Sequence, residues 1–191
     1  MSKAGFMQGV EYSHWLLSQN VDKGSFVVDA TVGNGHDTVF LTELVGQDGE
    51  VIGFDVQKQA LSSARKKLDK KNIKNVKLVH DGHENMNEYI NTKNSISGIL
   101  FNLGYLPGSD KEVITRPETT IEAISTGLDY LKPGGLIVLV VYVGHSGGEK
   151  EKSSLIKYTS QLDNKRYNIL HYNFLNQRRK PPEVIAIRKR K

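Results

Sequence analysis

Apolar positions along this chain fall into two kinds of run that alternate. Short, mostly apolar runs, Phe26-Val27-Val28, Val51 to Val56, Val76 to His80, Ile96 to Asn102 and Leu136 to Val143, have the length and β-branched content of buried strands. Between them apolar residues recur every three or four positions, the period of a helix with one face inward. That spacing covers Val39, Phe40, Leu41, Leu44 and Val45, then Ala60, Leu61, Ala64 and Leu68 within 57–71, then Ile121, Ile124, Leu128 and Leu131. A short helix is expected over Glu84 to Ile90, a polar one over Glu149 to Leu162, and one over Gly9 to Gln19 with Val10, His14 and Leu17 on a stripe. Two closing strands, about Tyr167 to Leu175 and Val184 to Arg188, are joined by Asn176-Gln177-Arg178-Arg179-Lys180-Pro181-Pro182. Thr115-Arg116-Pro117-Glu118 reads as a capping box, with Thr115 as N-cap. Lys132-Pro133-Gly134-Gly135 stops the helix before the fifth long strand.

Five strand-then-helix steps closed by a hairpin predict an α/β fold. The expected form is a Rossmann-like, doubly wound, mostly parallel seven-stranded sheet, with helices on both faces and a C-terminal antiparallel β-hairpin. In such a sheet a ligand sits outside the carboxyl ends of the strands, where the strand order reverses. The glycine- and acid-bearing loops all fall at that edge.

At 191 residues the chain is most simply one domain, 1–191, with 1–25 as a helical extension packed on it. It has no cysteine, so disulfides and thiolate chemistry are excluded. No stretch reaches the roughly 20 apolar residues of a membrane span, and the N-terminus lacks the apolar core of a signal peptide. A cytoplasmic protein that does not enter a membrane is expected. The net charge of +5 permits a polyanionic partner without demanding one. The basic face Arg65, Lys66, Lys67, Lys70 and Lys71 is read first as solvation, with an RNA track as the alternative.

The stretch Phe26 to Asp55 carries the chemistry. A strand ends on Asp29, a turn holds Gly33-Asn34-Gly35, a helix opens near His36-Asp37, and the next strand ends on Asp55. The glycines allow close backbone approach, and the helix N-terminus favours an anion. An acid about twenty residues past the turn is where such units bond a ribose diol. A dinucleotide site would continue G-x-G-x-x-G, but Thr38 stands at the third glycine, which weakens an NAD(P) oxidoreductase reading. A carboxylate-bearing methionine tail with ribose and adenine suits the site better, and that ligand is S-adenosylmethionine. His80 and His83 are three apart, but without further ligands no metal is expected.

Asp29-Ala-Thr-Val-Gly33-Asn-Gly35, the acids Asp55 and Asp81, and Leu131-Lys132-Pro133-Gly134-Gly135 resemble class I S-adenosylmethionine-dependent methyltransferases, over about Phe26 to Val143. More narrowly, DATVGNGHDT, NLGYLPG with TRPETT, VYVGHSGGEKE and NQRRKPPEV resemble a family first labelled rRNA methylases, the tRNA methyltransferases of the MnmM (YtqB-like) type. That resemblance implies N-methylation of 5-aminomethyl-(2-thio)uridine at the tRNA wobble position.

It implies roles residue by residue. Gly33, Asn34 and Gly35 cradle the methionine end of the cofactor, with Asp37 and Thr38 at the helix start and Asp29 holding the loop or the cofactor amino group. Asp55 accepts the ribose hydroxyls, Gln57 flanks the adenine, and Asp81 and His83 lie beside it. Asn102-Leu103-Gly104-Tyr105 is similar to the N-P-P-Y loop of amine-directed methyltransferases, whose carbonyl oxygens orient an amine; Leu103 and Gly104 depart from its prolines. Tyr105 would pack on the uracil or the cofactor, and Asn102 is otherwise a hydrogen-bonded loop asparagine. Tyr142 and His145 are candidates to contact or deprotonate the amine, His145 alternatively pinning its own loop. Arg116, Arg178, Arg179 and Lys180 would meet phosphates of an anticodon stem-loop. No appended RNA-binding domain is expected, so this domain grips tRNA itself, with a homodimer as one source of extra surface. The rivals are an rRNA or small-molecule amine methyltransferase and a non-catalytic RNA-binding module with a nucleotide site.

Overall fold

A computed structural model of the chain describes residues 5–104, 115–144, 147–178 and 180–191. Its strands are β1 (Phe26–Asp29), β2 (Glu50–Phe54), β3 (Val76–Val79), β4 (Ile96–Leu103), β5 (Leu131–Val141), β6 (Tyr167–Tyr172) and β7 (Glu183–Lys189). They form one sheet in the order β3-β2-β1-β4-β5-β7-β6. β1 to β5 pair in parallel, while β7 runs antiparallel to both β5 and β6. The expected mostly parallel sheet with a terminal hairpin is therefore present. Strand order reverses between β1 and β4, which puts the switch-point crevice above Asp29 and Asn102.

The helices are α1 (Gly9–Ser18), α2 (His36–Val45), α3 (Lys58–Lys70), α4 (Pro117–Tyr130) and α5 (Gly148–Ser160). Alternate residues of each strand feed opposite faces of the sheet. Val28, Ile99, Phe101, Ile137, Leu139 and Ile185 share one core with Met86, Ile124 and Leu155, beneath α4 and α5. Val27, Leu100, Val138, Val140 and Val184 share the other with Leu17, Leu41 and Leu68, beneath α1, α2 and α3. Burial on both faces explains why the central strands read as mostly apolar runs rather than alternating ones.

Several local expectations give way to tertiary contacts. Thr115 is not an N-cap: Arg116 holds that position, with no side-chain capping bond. The Thr115 hydroxyl instead donates to Glu151 Oε2 at 2.9 Å, and Thr120 donates to the other oxygen of this buried acid. A buried carboxylate needs donors more than a helix end needs one particular cap. The fifth strand begins at Leu131 rather than Leu136, because Leu131 already pairs with Ile96 before the register shifts to Gly98 and Leu136. The turn of helix expected over Glu84 to Ile90 is a 3-10 helix, His83–Glu88. On α3, Ala60, Ala64 and Leu68 are buried while Leu61 sits at the margin.

Candidate functional site: the crevice at the strand ends

The turn after β1 begins with a buried acid. Asp29 accepts from the Thr38 hydroxyl at 2.6 Å and from the Thr31 N–H at 3.2 Å. Thr38, standing where a dinucleotide site has glycine, thus ties the first turn of α2 back to the strand it follows. Burial first, and then the Asp37 charge, push the Asp29 carboxyl up from 3.8 to about 7. Gly35 precedes α2 at φ 75, and a Cβ there would stand 2.7 Å from the Ala64 Cβ of α3. Positive φ and a facing helix both require glycine at this point.

Asp55, just past β2, reaches across to that turn. One oxygen accepts the Gly33 N–H and the other the Gln57 N–H, both at 2.8 Å. Burial nonetheless holds its carboxyl above the ordinary value, against the pull of those two bonds. Each oxygen keeps a free lone pair, so the pair of oxygens can still accept a vicinal diol. Beyond β3, Asp81 is held by the Asn85 amide, the Tyr89 hydroxyl and the Gly82 N–H. The Asn85 and Tyr89 bonds keep it below the usual carboxylate range. His80 and His83 are tied to different carbonyls, Val56 O and Ala30 O. His83 is buried edge-on to Phe101, its Nε2 has no partner among the described residues, and burial pushes its pKa down, so the ring is neutral.

The other side of the crevice is built by β4, β5 and α1. Asn102 donates its backbone N–H to the Thr31 hydroxyl at 2.7 Å and its side-chain amide to Asp37 Oδ2 at 2.8 Å. His14 of α1 meets the second Asp37 oxygen at 2.7 Å while stacking on Phe40 at 3.8 Å. Burial alone would raise the Asp37 carboxyl; the bonds from His14 and Asn102 outweigh it and hold the group below its ordinary value. Asn102 Oδ1 is buried and has no partner among the described residues. Tyr142 follows β5, bonded through its N–H to Leu103 O, and its phenol is pushed above 10 by burial and by the nearby Asp37 charge.

Among the predicted residues, Asp29, Gly33, Gly35, Asp37, Thr38, Asp55 and Gln57 are thus joined by direct bonds or chain neighbours at one edge, with Asn34 inside the turn. Asn102 and Tyr142 meet them from the far side. Asp81 stands past the end of β3, and His83 reaches back to Ala30 after β1, beside Phe101 of β4. Tyr105, His145 and Arg179 lie outside the described residues. Arg116 and Arg178 are exposed, and Lys180 bonds Glu149 at 2.8 Å. Glu149, bonded by Lys152 and Lys180, is held down at about 2. His14 and Thr31 carry no local signal of the bonds they make to Asp37 and Asn102, which span 23 and 71 positions.

A family model described as "Putative rRNA methylase" matches residues 51–188. A second, for protein-L-isoaspartate (D-aspartate) O-methyltransferase, matches residues 6–90. The chain is 36% identical over 97% of its length to the tRNA (mnm(5)s(2)U34)-methyltransferase, chloroplastic, of Arabidopsis thaliana, covering 71% of that protein. Among solved structures, one described as a "putative rRNA-methylase" from Clostridium thermocellum matches with TM-score 0.94 and 40% identity, over 97% of this chain and 99% of that one. A protein described as "a putative methyltransferase" from Streptococcus mutans, solved in complex with SAH, matches with TM-score 0.88 and 43% identity over the same shares. The residues at the strand ends fit that cofactor class: an acid with lone pairs for a diol, a glycine turn, and a free helix N-terminus. The chain belongs to the rRNA_methylase family of S-adenosylmethionine-dependent methyltransferases.

Proposed function

We propose that this protein methylates the primary amine of 5-aminomethyl-(2-thio)uridine at the wobble position of tRNA, giving 5-methylaminomethyl-(2-thio)uridine. The Arabidopsis relative's name supports the substrate. The observation that carries the step from methyltransferase to amine methyltransferase is the buried Oδ1 of Asn102, which has no partner among the described residues. An asparagine whose amino end is bonded to a carboxylate presents only an acceptor on its other side, which suits an N–H or O–H donor and not a carbonyl or ionised oxygen, and the relative's name selects the amine.

When bound, S-adenosylmethionine supplies an electrophilic methyl on a sulfonium, which an uncharged amine can take with loss of a proton. Gly33, Asn34 and Gly35 hold its methionine end, Asp29 and Thr38 brace that turn, and Asp55 takes the ribose, with Gln57, Asp81 and His83 toward the adenine. Asn102 Oδ1 receives one N–H of the amine. Tyr142, kept neutral by its raised pKa, is a poor base and serves to orient the amine through its oxygen. Desolvation in the crevice favours the free amine over the ammonium, and fixed geometry supplies much of the rate. Tyr105 and His145 complete the acceptor side in this reading. Arg116, Arg178, Arg179 and Lys180 meet phosphates of the anticodon stem-loop. Residues 1–191 act as one cytoplasmic domain, and a homodimer would widen the RNA-binding surface. No helix among the described residues is long and apolar enough to cross a membrane.

The test is nucleoside mass spectrometry of tRNA from a deletion strain, alongside purified protein given S-adenosylmethionine and either that tRNA or rRNA. Accumulated 5-aminomethyl-uridine, methylated by the protein in vitro, is the expected outcome. Methyl incorporation into rRNA alone would replace this reading with the one the family description prints.

A further inference from the structure

We infer that His14 is a positioning residue: through Asp37 it locks the Asn102 amide in the orientation that offers Oδ1 to the acceptor amine. The inference rests on the amine reading for its catalytic consequence, but its structural half stands by itself.

An asparagine side chain can be turned over by half a rotation, exchanging a two-donor end for an acceptor end at little cost. A site that must accept an N–H needs one of those orientations and is blocked by the other. Asp37 makes the choice. An ionised carboxylate only accepts, so the end of Asn102 facing Oδ2 at 2.8 Å has to be the NH2. The opposite oxygen is then left buried and unpartnered among the described residues. The device works only if Asp37 stays ionised and stays in place. His14 serves both needs, since a nitrogen 2.7 Å from Oδ1 of a carboxylate has to be a donor. The side chains of His14 and Asp37 are 28% and 10% exposed, so the bond is sheltered from competing water.

The rest of the molecule fixes the two ends of this relay. His14 lies flat on Phe40 of α2, with 5° between the rings, so its rotation is restricted. α1 itself is pinned at its start. A Cβ on Gly9 would stand 2.7 Å from Pro182 O, and Met7 O accepts the Tyr172 hydroxyl at 2.8 Å. At the other end, the Asn102 backbone N–H is held by the Thr31 hydroxyl at 2.7 Å. A residue of the N-terminal helix thereby sets which end of a β4 side chain faces the substrate, without touching the substrate itself.

The experiment pairs two substitutions with two readouts. His14→Phe keeps the stacking on Phe40 and removes the donor, and His14→Gln returns a donor on a flexible arm. In 15N-labelled protein, the Asn102 side-chain NH2 pair is assigned by its disappearance in Asn102→Asp. It should be shifted and slow to exchange in the wild type, move toward solvent-exposed positions in His14→Phe, and return in His14→Gln. With aminomethyl-uridine tRNA, kcat should fall about tenfold or more in His14→Phe, with the KM for S-adenosylmethionine nearly unchanged, and recover in His14→Gln. Unmoved amide signals in His14→Phe would overturn the inference, as would an unchanged kcat or a loss that glutamine does not rescue. If the wild type methylates no amine, the substrate reading fails, and the amide signals alone decide whether His14 holds Asn102.

Discussion

Asp29 and Asp37 stand at the two ends of the same glycine turn, both buried, and their carboxyls have moved in opposite directions. Burial carries Asp29 to about 7, and its two hydrogen bonds, one of them long, do not undo that. Asp37 meets a similar burial, yet His14 and Asn102 bond its two oxygens and hold it ionised. With two donors each, the acids are separated by their neighbours: the Asp37 charge raises Asp29 further, while the bonds from His14 and Asn102 lower Asp37 against its burial. The two acids therefore do different work. Asp29 braces the glycine turn through Thr31 and Thr38, and Asp37, held below its ordinary value, ties α1 to the end of β4.

The largest effect should come from the acceptor side of this contrast. Asn102→Ala should lower methyl transfer by about 100-fold or more, the scale on which lost orientation or a lost polar contact at the reacting centre is felt. S-adenosylmethionine binding by calorimetry should stay within a few-fold, and equal single-turnover rates in the two proteins would remove Asn102 from the chemistry. Asp55→Ala should do the converse. It strips one charge-assisted bond from the turn at Gly33 and one from the start of α3 at Gln57, at about 1.5 to 3 kcal/mol for each bond to a charged group, and should weaken cofactor binding by roughly tenfold to a few hundredfold. An unchanged Kd would mean that the ribose lies elsewhere.

The pH dependence tests Asp29 directly. A carboxyl raised from 3.8 to about 7 on folding keeps its proton in the native state after the unfolded chain has lost it. Stability from this group is therefore complete below about pH 4, falls as pH rises to about 7, and is flat above. The slope is on the order of 1 kcal/mol per pH unit. Denaturant unfolding of wild type and Asp29→Asn should show the variant gaining on the wild type between pH 5 and 8; parallel curves would place the Asp29 carboxyl in the ordinary range. Asp37 works the other way, losing its contribution only as pH falls below the usual carboxylate range. The smallest effect is expected at the rim. Arg178→Ala should weaken tRNA binding a few-fold and lower the salt slope by about one, and an unaltered slope would take that arginine off the RNA.

Much of this arrangement was legible before any fold was built. Strand-end acids, the glycine pair and the turn formers at Asn102 are local signals, and the sheet then brings them to one edge because β1, β2, β4 and β5 run parallel. Other features were not legible, for a shared physical reason. Thr115 looks like an N-cap by spacing, but Glu151 of α5 takes its hydroxyl. Asp37 looks like a helix-start acid facing the cofactor, but its oxygens are taken by His14 and Asn102. In both cases a buried carboxylate recruits donors from elements distant in sequence, and local pattern has no access to that demand.

The most direct measurement is a crystal structure with S-adenosylhomocysteine and an anticodon stem-loop carrying 5-aminomethyluridine. The account predicts the ribose on Asp55 and the aminomethyl nitrogen within hydrogen-bond distance of Asn102 Oδ1, with the Asn102 amide still bonded to Asp37. An amine seated away from Asn102, or an Asn102 amide turned to present its NH2 to the substrate, would contradict it.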